Sequence, residues 1–288
     1  MMVRTLSIFR PGRSYPSVSA TGADCALMCD HCRGHYLETM HDVSREGELL
    51  RFASMLWKRG GKGFLLSGGC DADGRIPFPP HILEQVRGIK ASTGLVINAH
   101  TGLVGGEEAR ALAEAGIDCF SFDVVADRSI LKDIMHLDAT SSDVRSSLRS
   151  LVSTGKRVVP HVLAGLKGVI GEAEREAVSI AAEMEPDMAV LILHIPTKGT
   201  PLEGVDGTPS RQVISLAGSM REGMPRSELV LGCMRPRGDP CLEVEVLRCG
   251  FDGIVQPSSR TMEWIGSEGY IVREVEGCCA AFPANNNA

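Results

Sequence analysis

The sequence predicts an α/β fold built on parallel strands, either a closed (β/α)8 barrel or a partly open (β/α)6 barrel. Three observations carry this. Short, β-rich apolar runs alternate with stretches of helical spacing along the whole 288-residue chain. Alternation of this kind calls for parallel strands joined by right-handed crossovers. No G-x-G-x-x-G follows the first strand, which removes the main support for a doubly wound sheet.

The elements follow in order. Strand-like runs cover residues 15–21, 63–67, 95–99, 119–124, 157–163, 188–194, 229–231 and 251–255. Helical spacing marks 45–58, 107–114, 142–153 and 172–184. Gly60, Gly116 and Gly155 close three of these stretches, where a left-handed cap favours glycine. No Ser/Pro-rich linker divides the chain, so residues 1–284 are expected to form one domain and 285–288 a disordered tail. In a parallel barrel, chemistry sits where the strands end.

Composition narrows the function classes. The chain is 43% hydrophobic and 23% charged, with a net charge of −6. It lacks the overall basic character of a nucleic-acid binder and does not attract an anionic membrane. The longest apolar run, 188–195, is far short of the roughly 20 residues a membrane helix needs. The opening residues lack a signal-like apolar run, so the cytoplasm is the expected location. Ten cysteines in such a chain point to metal ligation, redox chemistry or packing rather than a disulfide scaffold.

Three of these cysteines lie in TGADCALMCDHCRGHYLETM, just after the first strand-like run. Cys25, Cys29 and Cys32 have the spacing CxxxCxxC. Three thiolates on one loop hold three corners of a [4Fe–4S] cube and leave the fourth iron open. Two alternatives stand beside this. The positions also share one helical face, which suits packing, and a zinc ion would find a fourth ligand in His31 or His35. The interleaved Asp24, Asp30, His31, Arg33 and Gly34 favour a loop over a buried helix.

This loop resembles the signature of the radical S-adenosylmethionine (SAM) superfamily. The resemblance implies a [4Fe–4S] cluster, SAM as co-substrate, and a 5′-deoxyadenosyl radical that removes a hydrogen atom from the substrate. Later segments are similar to the biotin synthase-like group. Gly68 and Gly69 in LLSGGC match the glycines that contact the SAM amino group, although Cys70 stands where the family usually has Glu. Ser121 and Asp123 share one strand face, and the resemblance gives Asp123 the SAM ribose. Gly165 and Gly168 match a glycine-rich stretch beside the adenine. HIPTKGTPLEG resembles the group's P-x-x-GTPL segment, and Arg235 falls near its barrel arginine.

Biotin synthase also carries a second cluster inside the barrel, whose full ligand set is missing here. A late cysteine group offers another. Cys233 and Cys241 flank a Gly/Pro turn, and Cys278 is the expected partner among Cys249, Cys278 and Cys279. A second iron–sulfur cluster would serve sulfur insertion at unactivated carbon in cofactor biosynthesis. The CALxCxHC loop resembles the archaeal-type two-protein lipoyl synthases. That implies a lipoyl carrier protein, a paired radical SAM protein and a ferredoxin- or flavodoxin-type reductant as partners. A methylase, mutase or ring-forming enzyme of the same group is the enzymatic alternative. A metal-binding scaffold or electron-transfer protein is the non-enzymatic one. His100, His161 and His194 stand near strand ends as further candidates to orient substrate, donate a proton or bind metal.

Overall fold

A computed structural model describes residues 4–282. Eleven strands form one sheet in which every ladder is parallel: β1 (Thr5–Phe9), β2 (Ser17–Ser19), β3 (His41–Asp42), β4 (Gly63–Ser67), β5 (Val96–His100), β6 (Cys119–Val124), β7 (Arg157–Ala164), β8 (Met188–Leu193), β9 (Glu228–Leu231), β10 (Gly253–Val255) and β11 (Ile271–Val275). Their spatial order is β11-β1-β10-β9-β8-β7-β6-β5-β4-β2-β3. Strands β1 and β2 follow each other in sequence but are not hydrogen-bonded neighbours, so the barrel is partly open. Of the two barrels the sequence allows, this is the open one.

Eight helices cover the outside: α1 (Glu48–Lys58), α2 (Pro80–Ser92), α3 (Gly106–Ala115), α4 (Ser141–Val152), α5 (Glu172–Ala182), α6 (Ser210–Gly223), α7 (Pro240–Arg248) and α8 (Ser259–Ser267). Local signals set their ends. Thr140 and Asp143 close a capping box at α4. Asp239 accepts the Leu242 N–H at the start of α7. Gly60, Gly116 and Gly155 carry the positive φ expected at helix ends. In α1, Leu49, Ala53 and Leu56 recur on one face and are all buried.

Strand alternation produces two cores. One lies between sheet and helices. The other lines the lumen and contains Phe9, Val159, Met188, Val190, Ile192, Val230 and Val255. Strand β8 is buried on both faces, as its unbroken apolar run MAVLIL requires. Three strands were absent from the sequence reading. β1 lies ahead of the first run noted, β3 has two residues, and β11 (IVREV) is a partly charged, largely exposed edge. The region 15–21 contributes only three strand residues. No helix among the described residues is long and apolar enough to cross a membrane. The tail proposed for 285–288 lies outside the described residues.

Arg235 does not serve as a lumen arginine. Its side chain is 1% exposed and pairs with Glu243 at 2.7 Å. It also donates to the carbonyls of Gly232, Val255 and Gln256, tying the ends of β9 and β10 to α7. Glu243 in turn accepts from Thr261 and the Ser258 N–H, which brings in α8. Removing one partner of such a buried pair strands the other charge. Glu243→Ala is therefore expected to lower the unfolding free energy by about 3–5 kcal/mol in urea titrations. A loss below about 1 kcal/mol would show that this ion pair does not join the two elements.

Candidate functional site

Residues 20–40 form a long excursion between β2 and β3. Its turns demand unusual backbone. Met28 and Arg33 have φ of 43° and 47°, and Gly34 follows at 75°. The Cys32 and Arg33 N–H groups both donate to the Cys29 carbonyl. The segment is a folded loop, not the continuous helix that a packing role for the cysteines would need.

Neighbouring segments clasp this loop. The Asp30 N–H donates to the Ile134 carbonyl, and the Asp30 carboxylate faces both Arg33 and His136. His136 Nδ1 lies 2.8 Å from the Leu27 carbonyl oxygen. Tyr36 shares a hydrogen bond with Thr197 on the segment after β8. On the side of β4, the Ala26 N–H donates to the Cys70 carbonyl at 2.7 Å. That approach depends on Gly69. A Cβ there would lie 2.1 Å from the Asp24 carbonyl oxygen and 2.5 Å from Cys25 Cβ.

Cys25, Cys29 and Cys32 all line one cavity of about 230 Å³. Gly68, Gly69, Cys70, His31, His100 and Asp123 share it, and Leu27, Ile76, Leu103, Phe122 and Met135 form apolar wall. The thiols are chemically distinct. A hydrogen bond from Cys29 and the neighbouring His31 bring the Cys32 thiol down to about 4, against the opposing cost of burial. Cys29, the donor to Cys32, is pushed up, and burial adds to the effect. Burial beside Cys25 and acidic neighbours pushes Cys70 up to about 12. His35 is exposed beside Glu38 and offers no ligand to the cavity.

The donor set discriminates between metals. In a tetrahedral zinc site the thiolates stand about 3.8 Å apart, from Zn–S bonds of about 2.3 Å. Among the described residues, one group of three or more His, Cys, Asp or Glu brings all its ligand atoms within 4.8 Å of one another, and it does not contain these cysteines. Three thiolates on one loop suit a cube, whose thiolates bind separate irons.

That compact group is His100, Asp123 and His161. These residues come from three adjacent strands, and Asp123 is in register with His161. His100 Nε2 lies 3.5 Å from Asp123 Oδ1. His100 and Asp123 sit deep in the barrel, yet 25% and 36% of their side chains remain open to the lumen. Burial works against the Asp123 carboxylate, but His100 and His161 hold it below its usual range. Burial likewise opposes the charged form of His100, and Asp123 overcomes it, so this histidine titrates above its usual value. Burial takes His161 down to about 4. His161 Nδ1 and His31 Nδ1 are buried without a hydrogen-bond partner, and Asp123 Oδ1 has only the longer His100 contact.

The structure corrects other candidates. Ser121 is buried and exchanges hydrogen bonds with the Asn98 amide, so it braces the strand below Asp123 and does not line the cavity. Gly165 and Gly168 do not line it either. Their φ values are 85° and 72°, and a Cβ on Gly165 would lie 2.1 Å from Thr208 Oγ1. Backbone conformation and packing on residues 205–208 account for both glycines. His194 is buried, and burial lowers its affinity for a proton.

Cys241 is exposed at the start of α7, in the outer helical layer, and Cys233 is exposed beyond β9. Cys249, at the end of α7, donates to the Ile214 carbonyl. Cys233 lies within electrostatic reach of Cys278 and Cys279. The sequence expects Cys278 to fold back toward Cys233, and Cys279 and Ala280 pack in the lumen core.

No family model matches the sequence. Among curated proteins, the chain is 25% identical over 244 residues to the biotin synthase of Marinobacter nauticus, covering 81% of this chain and 67% of that protein. It is 25% identical over 260 residues to the biotin synthase of Halorhodospira halophila, covering 85% and 77%. Among solved structures, the [FeFe]-hydrogenase maturase HydG aligns with a TM-score of 0.68 at 16% identity, covering 96% of this chain and 66% of that one. Methylornithine synthase (PylB) aligns at 0.58 and 17% identity, covering 99% and 78%. Streptococcus suis SuiB bound to S-adenosylmethionine aligns at 0.50 and 12%, covering 98% and 53%.

Two outcomes follow from this geometry. Gly69→Ala should force the cysteine loop off the β4 turn. Ellman's reagent should then react with Cys25, Cys29 and Cys32 at least tenfold faster than in the parent, and an unchanged rate would refute the docking role. His161 sets a pH dependence. Its folded value is about 4, below the ordinary 6.5, so between these limits the unfolded chain takes up a proton that the folded chain refuses. Its contribution to stability falls as pH drops from 6.5 to 4. His161→Gln should flatten that slope in denaturation curves, and an identical slope would contradict the burial argument.

Proposed function

We propose that this chain, which belongs to the radical SAM superfamily in its biotin synthase-like group, is an enzyme that activates an unactivated C–H bond at the cavity under the cysteine loop. One observation carries the reading. Three thiols on a single loop face a cavity that also holds paired glycines and the Asp123 carboxylate. A scaffold or electron carrier needs the thiols but has no use for the cavity.

The residues present fit a [4Fe–4S] cluster and SAM. Cys25, Cys29 and Cys32 would hold three irons, leaving one open for the amino acid end of SAM. With both bound, the chemistry supplied is reductive cleavage of the sulfonium to give a radical that removes a hydrogen atom. The protein's own part is binding, orientation and exclusion. Backbone at Gly68 and Gly69 lies open to the cavity. Asp123 supplies a carboxylate for ribose hydroxyls, held ionised by His100. Leu27, Ile76, Leu103, Phe122 and Met135 keep water from the reacting centre.

Within this class we place the enzyme in sulfur insertion, of the lipoyl synthase type. The biotin synthases among its relatives and the thiols inside its own lumen support this. The chain spans about two thirds to three quarters of those relatives' length, so their substrate does not carry over. A ferredoxin- or flavodoxin-type reductant, a lipoyl carrier protein and a paired radical SAM protein are the partners this reading entails. A methylase, mutase or ring-forming enzyme of the same group is the second reading.

Dithionite-reduced Cys29→Ala should make no 5′-deoxyadenosine, and a wild-type rate would overturn the proposal. Asp123→Ala should keep its iron but bind SAM roughly tenfold to a hundredfold more weakly, the cost of a charge-assisted hydrogen bond. Equilibrium binding of SAM reads that change directly.

A further inference from the structure

An ion pair accounts for His100 and Asp123, whose Nε2 and Oδ1 stand 3.5 Å apart. It does not account for His161. A third strand brings that ring to the same point, yet its Nδ1 is buried without a hydrogen-bond partner. Desolvating a ring nitrogen with no hydrogen bond in return is a cost to the fold.

The spacing of the three residues is that of ligands on one ion. With metal–ligand bonds of about 2.0–2.2 Å, two donors on a tetrahedral ion stand roughly 3.4 Å apart. His100 Nε2 and Asp123 Oδ1 meet that distance. One donor atom from each residue lies within 4.8 Å of the other two, so small side-chain adjustments close the set. The imidazole rings of His100 and His161 have centroids 6.0 Å apart and are inclined by 48°. Two imidazoles that share an ion have centres about 5–6 Å apart, since each centre lies roughly 3 Å from the metal. Backbone holds the three in place. Asp123 is in register with His161 on β7, and His100 is in register with Ser121, which shares a strand face with Asp123. Ligands carried on strands are fixed more precisely than ligands on loops.

We infer that His100, Asp123 and His161 hold a single divalent first-row transition-metal ion in the barrel lumen, separate from whatever the cysteine loop binds. Two imidazoles and one carboxylate suit Zn²⁺ or Fe²⁺, and not the oxygen coordination of Mg²⁺ or Ca²⁺. Three protein ligands leave the ion open positions. The cavity is the open side, because His100 and Asp123 line it. A substrate atom with a lone pair, such as a thiolate sulfur or a hydroxyl or carboxylate oxygen, can bind there without displacing a protein ligand. Asp123 has two carboxylate oxygens, so one can ligate the ion while the other accepts a ribose hydroxyl. The inference goes beyond the radical SAM reading and does not rest on it, since none of the three ligands lies on the cysteine loop.

The test uses the full chain loaded anaerobically with iron and sulfide, then equilibrated with Zn²⁺ and desalted. Elemental analysis should find one zinc per chain beside the iron. X-ray absorption at the zinc edge should show nitrogen and oxygen neighbours and no sulfur. His100→Gln and His161→Gln should each weaken zinc binding by at least roughly 10–100-fold, since even an outer-shell partner of a metal ligand is worth that much. Their iron and acid-labile sulfide should equal those of wild type. Cys241→Ala, which removes an exposed thiol of the outer layer, should bind zinc as wild type does. Asp123→Ala removes the metal ligand and the ribose contact together, so the histidine variants carry the distinction. If they fail to fold, the zinc-edge spectrum of wild type decides the matter. Sulfur neighbours, no retained zinc, or wild-type affinity in a folded histidine variant would each overturn the inference. A Cys29→Ala variant that still made 5′-deoxyadenosine would instead sink the functional proposal and leave this one standing.

Discussion

Everything in this molecule depends on the strands running the same way. Parallel ladders send every strand's C-terminal end to one rim, and the pleat sends alternate side chains into the lumen. His100, Asp123 and His161 are far apart in sequence, yet three neighbouring strands bring their ligand atoms within 4.8 Å. The same rule puts Val159, Val190 and Val230 in a layer of the lumen core. The cysteine loop has no such scaffold of its own. It borrows position from the β4 turn, where the missing side chain of Gly69 lets Asp24 and Cys25 come close.

The price of this site is unsatisfied polarity. His161 Nδ1 and His31 Nδ1 are buried without partners, and each such group costs on the order of 1–3 kcal/mol. Asp123 Oδ1 has the His100 contact at 3.5 Å and no closer hydrogen bond. In the outer layers, Arg235 and Glu243 bind β9, β10, α7 and α8 into one network, and Asp118 receives Lys90 and the Ile97 N–H.

Legibility in the sequence followed the range of the interaction. The thiol loop was legible because its spacing is local and turn residues interleave its cysteines. Asp123 was legible because strand parity is local too. The His100–Asp123–His161 group was only half legible. Each histidine could be placed near a strand end, but their meeting depends on the register of three ladders. Gly165 and Gly168 misled because a positive φ and a close neighbour demand glycine as strongly as a ligand does. Arg235 misled for a similar reason. Its number along the chain placed it near the lumen, but Glu243, eight residues on and buried, draws it into the helical layer. The tail was partly legible: its cysteines suggested a return toward Cys233, but no periodicity announces the packing of Ala280 and Phe282.

The tail changes what the barrel is. A partly open sheet exposes its interior along the seam, where water would reach a radical and any metal thiolate. Phe282 and Ala280 pack there, and Cys279 lies beside Ala280. One segment therefore covers the seam and packs on Phe9, Val159, Val190, Val230 and Val255, work that a closed barrel would leave to its strands.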